Sequence, residues 1–167
     1  AFTVDGAVPD ADVTVFEKSG GLCGRAATRR HDDLTYDYGA NYLKSDDERV
    51  VDLITETLDD TGLVNVPQPI HVFDADGAVS PGRDSDDHKW SYRMGLTQIA
   101  KRLFGETDAT VHRRTRIETV RRADSRWEVD DAEGATYGPF DALLLNPPAP
   151  QTADLLRSAE WESPVRE

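Results

Sequence analysis

Val13-Thr14-Val15-Phe16-Glu17-Lys18, continuing into Ser19-Gly20-Gly21-Leu22-Cys23-Gly24-Arg25, is the stretch from which the fold is read. Apolar and β-branched residues without alternation predict a buried strand of the kind found in parallel sheets. The strand ends on a carboxylate and passes into a turn carrying three glycines and one arginine. In a doubly wound α/β sheet, an acid at the carboxyl end of the second strand accepts hydrogen bonds from a ribose diol, and nearby glycines let the backbone approach a pyrophosphate. The stretch therefore predicts a dinucleotide site with Glu17 at the ribose. A carboxylate that only solvates a strand end competes with that reading. The element expected upstream, a strand leading into Gly-x-Gly-x-x-Gly, is absent, and Ala1-Phe2-Thr3-Val4 reads as the tail of the helix after such a motif. The chain is accordingly expected to be truncated.

Downstream, Gly24-Arg25-Ala26-Ala27-Thr28-Arg29-Arg30 puts three arginines into six residues of an acidic chain. A guanidinium here can hold a phosphate through two parallel donors. A salt-bridge network with Asp32, Asp33 and Asp37 explains the same charges equally well. Tyr36-Asp37-Tyr38-Gly39-Ala40-Asn41-Tyr42-Leu43 predicts a second extended segment over 36–43. Gly39 there admits a flat ring close to the backbone, with the tyrosines either stacking on it or packing along a strand face.

Further along, Asp46 or Asp47 caps a predicted helix through Leu58, with Thr61-Gly62 as its end. Pro67 and Pro69 mark a break. Ile70–Phe73 and Ala78–Ser80 flank Asp74-Ala75-Asp76-Gly77 as a hairpin, and 81–89 reads as a polar loop. Leu96, Ile99, Ala100 and Leu103 share one face of a second helix that stops at Gly105. From 109 the period falls to two, predicting a meander over 109–113, 115–122, 126–130 and 136–137. Phe140–Leu145 reads as a buried strand stopped by Asn146-Pro147-Pro148.

Composition narrows the function. The chain of 167 residues carries 32 Asp and Glu against 19 Lys and Arg, a net charge of -13. Its acids gather at Asp32-Asp33, Asp46-Asp47-Glu48, Asp59-Asp60 and Asp84-Ser85-Asp86-Asp87, which read as solvated turns and helix starts. Nucleic acid is disfavoured as a partner, because phosphate backbones need a basic face. Surplus surface acid fits a halophilic protein, in which counterions screen self-repulsion. No run nears the roughly 18 apolar residues of a membrane span. The lone Cys23 forms no internal disulfide, which makes a reducing cytoplasm the expected location. The four histidines show no metal-ligand spacing, and neither a G-x-S-x-G nor a P-loop is present. Trp90 and Trp127 read as packing residues, and Trp161 lies in a polar tail.

Val15-Phe16-Glu17-Lys18 through Arg30, followed by Tyr36–Tyr42, resembles the flavin-containing amine oxidase superfamily and most closely its renalase-like branch. A second block agrees in order: Gly95-Leu96 with Ile99-Ala100-Lys101 and Leu103, then Val111–Ile117, Trp127-Glu128-Val129 and Phe140–Gln151. The resemblance implies an α/β fold, a partial Rossmann-like FAD-binding domain with a mixed α+β insert and a β-meander. It implies an FAD-dependent oxidoreductase that moves a hydride from an amine or dihydronicotinamide-like small molecule to the flavin, with oxygen as acceptor. It also implies site roles: Glu17, beside Lys18, for the adenosine ribose, Gly24 and Arg25 for the pyrophosphate, the Ile117 backbone for adenine, and Gly39 and Ala40 near the isoalloxazine. No catalytic residue and no metal ligand is implied.

Three departures stand out: Cys23 replaces a family glycine, the opening glycine motif is missing, and the chain ends before the later substrate-domain strands. A chain so cut is expected to bind flavin weakly or not at all, and not to turn over. The resemblance divides it into residues 1–43 as part of the FAD-binding domain, 44–105 as an insert or substrate-side lobe, 106–150 as the return to that domain, and 151–167 as a tail or next segment. Two other classes fit the bare sequence: a non-catalytic acidic binding module, and a nicotinamide-only dehydrogenase in which Glu17 keeps its role.

Overall fold

A computed structural model of the chain describes residues 1–8, 10–66, 70–82 and 88–159. In chain order the elements are α1 (Phe2–Ala7), β1 (Thr14–Glu17), β2 (Thr28–His31), β3 (Leu34–Asp37) and α2 (Glu48–Asp52). Next come β4 (Leu63–Asn65), β5 (His71–Phe73), β6 (Val79–Pro81), β7 (Trp90–Tyr92) and α3 (Gln98–Gly105). The last are β8 (Thr110–Arg113), β9 (Ile117–Ala123), β10 (Arg126–Asp131), β11 (Thr136–Phe140) and α4 (Ala149–Ser158). The mixed α/β class is as expected. The chain forms two units: Thr14–Gly20 with the residues from Thr110 onward, and Ala1–Val13 with Gly21–Ala109.

In the first unit, β1 and β8 run parallel, with Thr14 opposite Thr110 and Glu17 opposite Arg113. Residues 110–113 thus pair with β1 instead of opening the meander. β1 is half-buried along its length, anchored by Phe16, whose ring stacks on His112 at 5.2 Å and meets Tyr137 at 4.8 Å. β9, β10 and β11 form the antiparallel meander that the period-two pattern predicts. The Asp131 carboxylate shapes its second turn by accepting the N–H groups of Glu133 and Ala135 at 2.9 and 2.8 Å and the Tyr137 hydroxyl at 2.9 Å. Val120 and Val129 face each other across the ladder at 2% and 1% exposure, and Leu155 of α4 joins them in the core. Each such side chain contributes about 1.5–3 kcal/mol by leaving water. Ser158 ties α4 to the sheet by accepting the Val120 N–H at 3.0 Å.

Two expectations change here. Only Phe140 of the predicted strand Phe140–Leu145 lies in a strand, as the end of β11. Leu143 and Leu145 turn to the core while Leu144 is 82% exposed, because no neighbouring strand among the described residues covers that side. The prolines read as a stop also begin α4, whose first turn holds Pro150.

In the second unit, Ile54, Leu58, Tyr92 and Ile99 form the buried core, and Leu96 is fully enclosed. Asp47 caps α2, accepting the Arg49 N–H at 3.0 Å, and the helix runs on as a π turn over Leu53–Thr57. Gly62 follows at a φ of 77°. The predicted hairpin over 70–80 forms, with Asp74 accepting from Asp76 and Ala78 and Gly77 at a φ of 80°. α3 appears where the apolar spacing places it.

The extended segment predicted over 36–43 is corrected. The strand is β3, ending at Asp37, and its antiparallel partner is β2, the basic stretch itself. The turn between them puts Asp32 at a φ of 50°, a conformation that Asp tolerates. β4 and β7, three residues each, pair with one another and are too short to show a period. Pro67, Pro69, the Asp84–Asp87 cluster, most of the predicted 81–89 loop and Trp161 lie outside the described residues.

Candidate functional site

Glu17 closes β1 and is half-buried. One carboxylate oxygen accepts the Ser19 N–H at 2.7 Å, so the side chain is held at the mouth of the glycine turn. Its backbone C=O accepts from Thr115 at 3.0 Å, and Ser19 C=O accepts from Arg114 at 3.0 Å. These bonds fasten the β1 turn to the turn after β8. Arg114 has a φ of 59°, and its guanidinium lies over Gly20, with Nε 3.5 Å from where a Cβ would stand. The sequence reading missed Arg114; its signal was a run of basic residues directly after a strand. Lys18 is exposed, and Ile117, half-buried, opens β9 opposite Asp131.

In the other unit the Cys23–Asn41 stretch is built on α3. The Cys23 side chain packs against the apolar core, and burial pushes its thiol pKa up, partly offset by a hydrogen bond from the Ala100 backbone. Cysteine can therefore replace a glycine here, because this position is a core contact. Gly24 takes a φ of 48°, and Arg25 beside it is exposed. Arg25 C=O accepts the Ala40 N–H at 2.9 Å. A Cβ on Gly39 would stand 1.9 Å from that carbonyl oxygen, so only glycine lets the two strands of chain lie together.

The alternative explanation of the arginines, a network with Asp32, Asp33 and Asp37, does not form among the described residues. Arg29 lies over the Tyr38 ring at 4.2 Å, and Arg30 donates to Met94 C=O at 3.1 Å. Asp37 is engaged elsewhere. It accepts the Thr28 hydroxyl and takes the Leu96 N–H on both oxygens, at 2.9 and 3.1 Å. Tyr36 and Tyr38 are 45% and 55% exposed, which argues against packing along a buried strand face.

The structure thus gathers Gly24, Arg25, Gly39 and Ala40 into one doubled loop of one unit, and Glu17, Lys18 and Ile117 around the ends of β1 and β9 in the other. A carboxylate held at the carboxyl end of a parallel strand before a glycine turn can accept hydrogen bonds from a ligand's hydroxyls, and an exposed guanidinium beside a left-handed glycine can donate to an anion. No helix among the described residues is long and apolar enough to cross a membrane.

Comparison with known proteins agrees with the mixed α/β class. Residues 5–57 match the family described as an NAD(P)-binding Rossmann-like domain. The fold is similar to the crystal structure of a "Putative protoporphyrinogen oxidase" from Exiguobacterium sp. 255-15, with a TM-score of 0.71 at 16% sequence identity. The alignment covers 95% of this chain and 58% of that one, so the chain spans little more than half the length of that structure. The matched family and the shared fold both accord with the α/β, Rossmann-like fold expected from the sequence.

Proposed function

We propose that this chain is the nucleotide-binding part of an FAD-dependent oxidoreductase of the renalase or amine oxidase type. The observation that carries the reading is Glu17, a carboxylate fixed at the end of a parallel strand by the Ser19 N–H and followed by a glycine turn. The residues fit the cofactor in kind. A carboxylate with one oxygen engaged keeps lone pairs for ribose hydroxyls. Arg25, exposed beside a left-handed glycine and in no ion pair among the described residues, is a ready donor to phosphate. Gly39 and Ala40 present backbone without bulk. In this reading Glu17, with Lys18 beside it, takes the adenosine ribose and the Ile117 backbone takes adenine. Gly24 and Arg25 take the pyrophosphate, and Gly39 and Ala40 lie near the ring.

When bound, the flavin supplies the hydride-accepting chemistry, here toward an amine or a dihydronicotinamide-like small molecule with oxygen as the final acceptor. The protein's share is binding, orientation and exclusion of water. A nicotinamide dinucleotide is the second reading, favoured by the NAD(P)-binding description of the matched family. Titrating the full-length protein in parallel with FAD and with NADH separates the two: the proposal expects saturable binding of FAD and the spectral shift of an enclosed flavin. Saturation by NADH alone would replace it with the second.

A further inference from the structure

We propose that Asp37 is a positioning residue for the cofactor loop, acting together with Thr28 and Thr97; this rests on the FAD reading above. The segments to be positioned are Gly24-Arg25, which lead into β2, and Gly39-Ala40, which leave β3. Asp37 is the last residue of β3, directly between those segments and the start of α3. Its carboxylate takes the Leu96 N–H on both oxygens and the Thr28 hydroxyl on one. The Thr28 hydroxyl in turn accepts the Thr97 N–H at 3.1 Å. From the other side the Thr97 hydroxyl accepts the Thr28 N–H at 2.9 Å and donates to Ala26 C=O at 3.1 Å. Two side chains and one carboxylate thus fasten both edges of the hairpin to the lead-in of α3.

The packing leaves this junction no slack. Gly95 has a φ of 90°, and a Cβ there would stand 2.1 Å from Thr28 Cγ2. Leu96 just before α3 is fully buried, and Ile99 and Ala100 within it are buried as well, so the start of α3 is a fixed post. Arg25 is joined to the same frame through its carbonyl bond to Ala40 and by chain continuity to Ala26. A hairpin bonded only to itself pivots at its base. This one is held at Ala26, Thr28 and Asp37, which sets where the exposed Arg25 guanidinium and the Gly39 backbone stand. Neither Thr97 nor Asp37 touches the cofactor in this scheme; they act through Arg25 and Gly39.

The test is a double-mutant cycle on the full-length protein, read by FAD titration and by amide hydrogen exchange. Asp37→Ala is expected to weaken FAD binding by about tenfold or more, and Thr97→Val likewise, with Thr97→Ser close to the parent. The Ala40 and Thr28 amides should exchange faster in Asp37→Ala while the Leu58 amide, buried in the core of the same unit and bonded to Leu53 C=O, keeps its protection, which separates loosening of the loop from unfolding of that unit. Because Asp37 acts in part through Arg25, the Arg25→Ala, Asp37→Ala pair should lose clearly less FAD affinity than the product of the two single losses. Losses that multiply, or an Asp37→Ala protein that binds as the parent does, would overturn the proposal. Should Asp37→Ala not fold, the Thr97→Val and Thr97→Ser comparison carries the test, and equal affinities there overturn it. An unmodified protein that binds no FAD overturns the cofactor reading itself, and this proposal with it.

Discussion

At the scale of single residues, Glu17 and Arg25 contribute charge and Gly39 contributes the absence of bulk. Replacing Glu17 or Arg25 with Ala is expected to weaken FAD binding by about 1.5–3 kcal/mol, the usual cost of a lost charged hydrogen bond. Equilibrium titration of each variant checks this, and unchanged affinity in both rejects the site. Gly39→Ala acts differently. Its new methyl would overlap the Arg25 carbonyl, so the doubled loop must open, at about 1–3 kcal/mol of stability. A thermal melt of that variant matching the parent would show the close approach to be wrong. Glu17 was legible as a candidate because a strand ending in an acid before glycines is a pattern of adjacent residues. Gly39 was legible as a place of close approach to the backbone, but not as an approach by the chain itself. Its reason is a carbonyl fourteen positions upstream in sequence, and no local pattern encodes that contact.

At the scale of elements, the sequence is readable where a segment is long enough to show a period. The α3 helix, the meander β9 to β11 and the hairpin of β5 and β6 came from periodicity or turn chemistry, and all three form. The β4 and β7 strands did not, because three residues hold too little pattern. β2 was hidden by its composition: Thr28-Arg29-Arg30-His31 looks like an anion-binding loop, and it is an exposed strand. Phe140–Leu145 failed for the converse reason, since an apolar run becomes a buried strand only when something pairs with it. The Thr28, Asp37 and Thr97 junction was invisible for the same reason as Gly39, joining residues far apart in sequence. The buried Leu96 at that junction yields an expected outcome: Leu96→Ala should cost about 2–5 kcal/mol, measured by denaturant unfolding.

At the scale of the whole molecule, acid dominates. In the meander, Thr136 and Thr119 donate to Asp130, and the Ala135 N–H and the Tyr137 hydroxyl donate to Asp131; each carboxyl is held below its ordinary pKa. A carboxylate whose folded pKa is depressed stabilises the fold above its unfolded pKa, and that contribution is lost as pH falls through the folded value. The melting temperature is therefore expected to drop on acidification below about pH 4, and Asp131→Asn should flatten that part of the profile. The net charge of -13 acts in the opposite sense to compaction. Raising salt from about 0.05 M to 1 M shortens the Debye length from over 10 Å to about 3 Å, so the melting temperature should rise. A salt-independent melt would reject the halophilic reading of the composition.

In the proposed function, the carboxylate ending β1 and the loop around Arg25 both serve a flavin nucleotide. The most direct measurement is the visible absorbance of purified full-length protein during titration with FAD. Saturable binding is expected, with the resolved, shifted bands of an enclosed flavin, lost together in the Glu17→Ala, Arg25→Ala double variant. A protein that stays colourless after dialysis against FAD, with bands identical to the free cofactor throughout the titration, would contradict it.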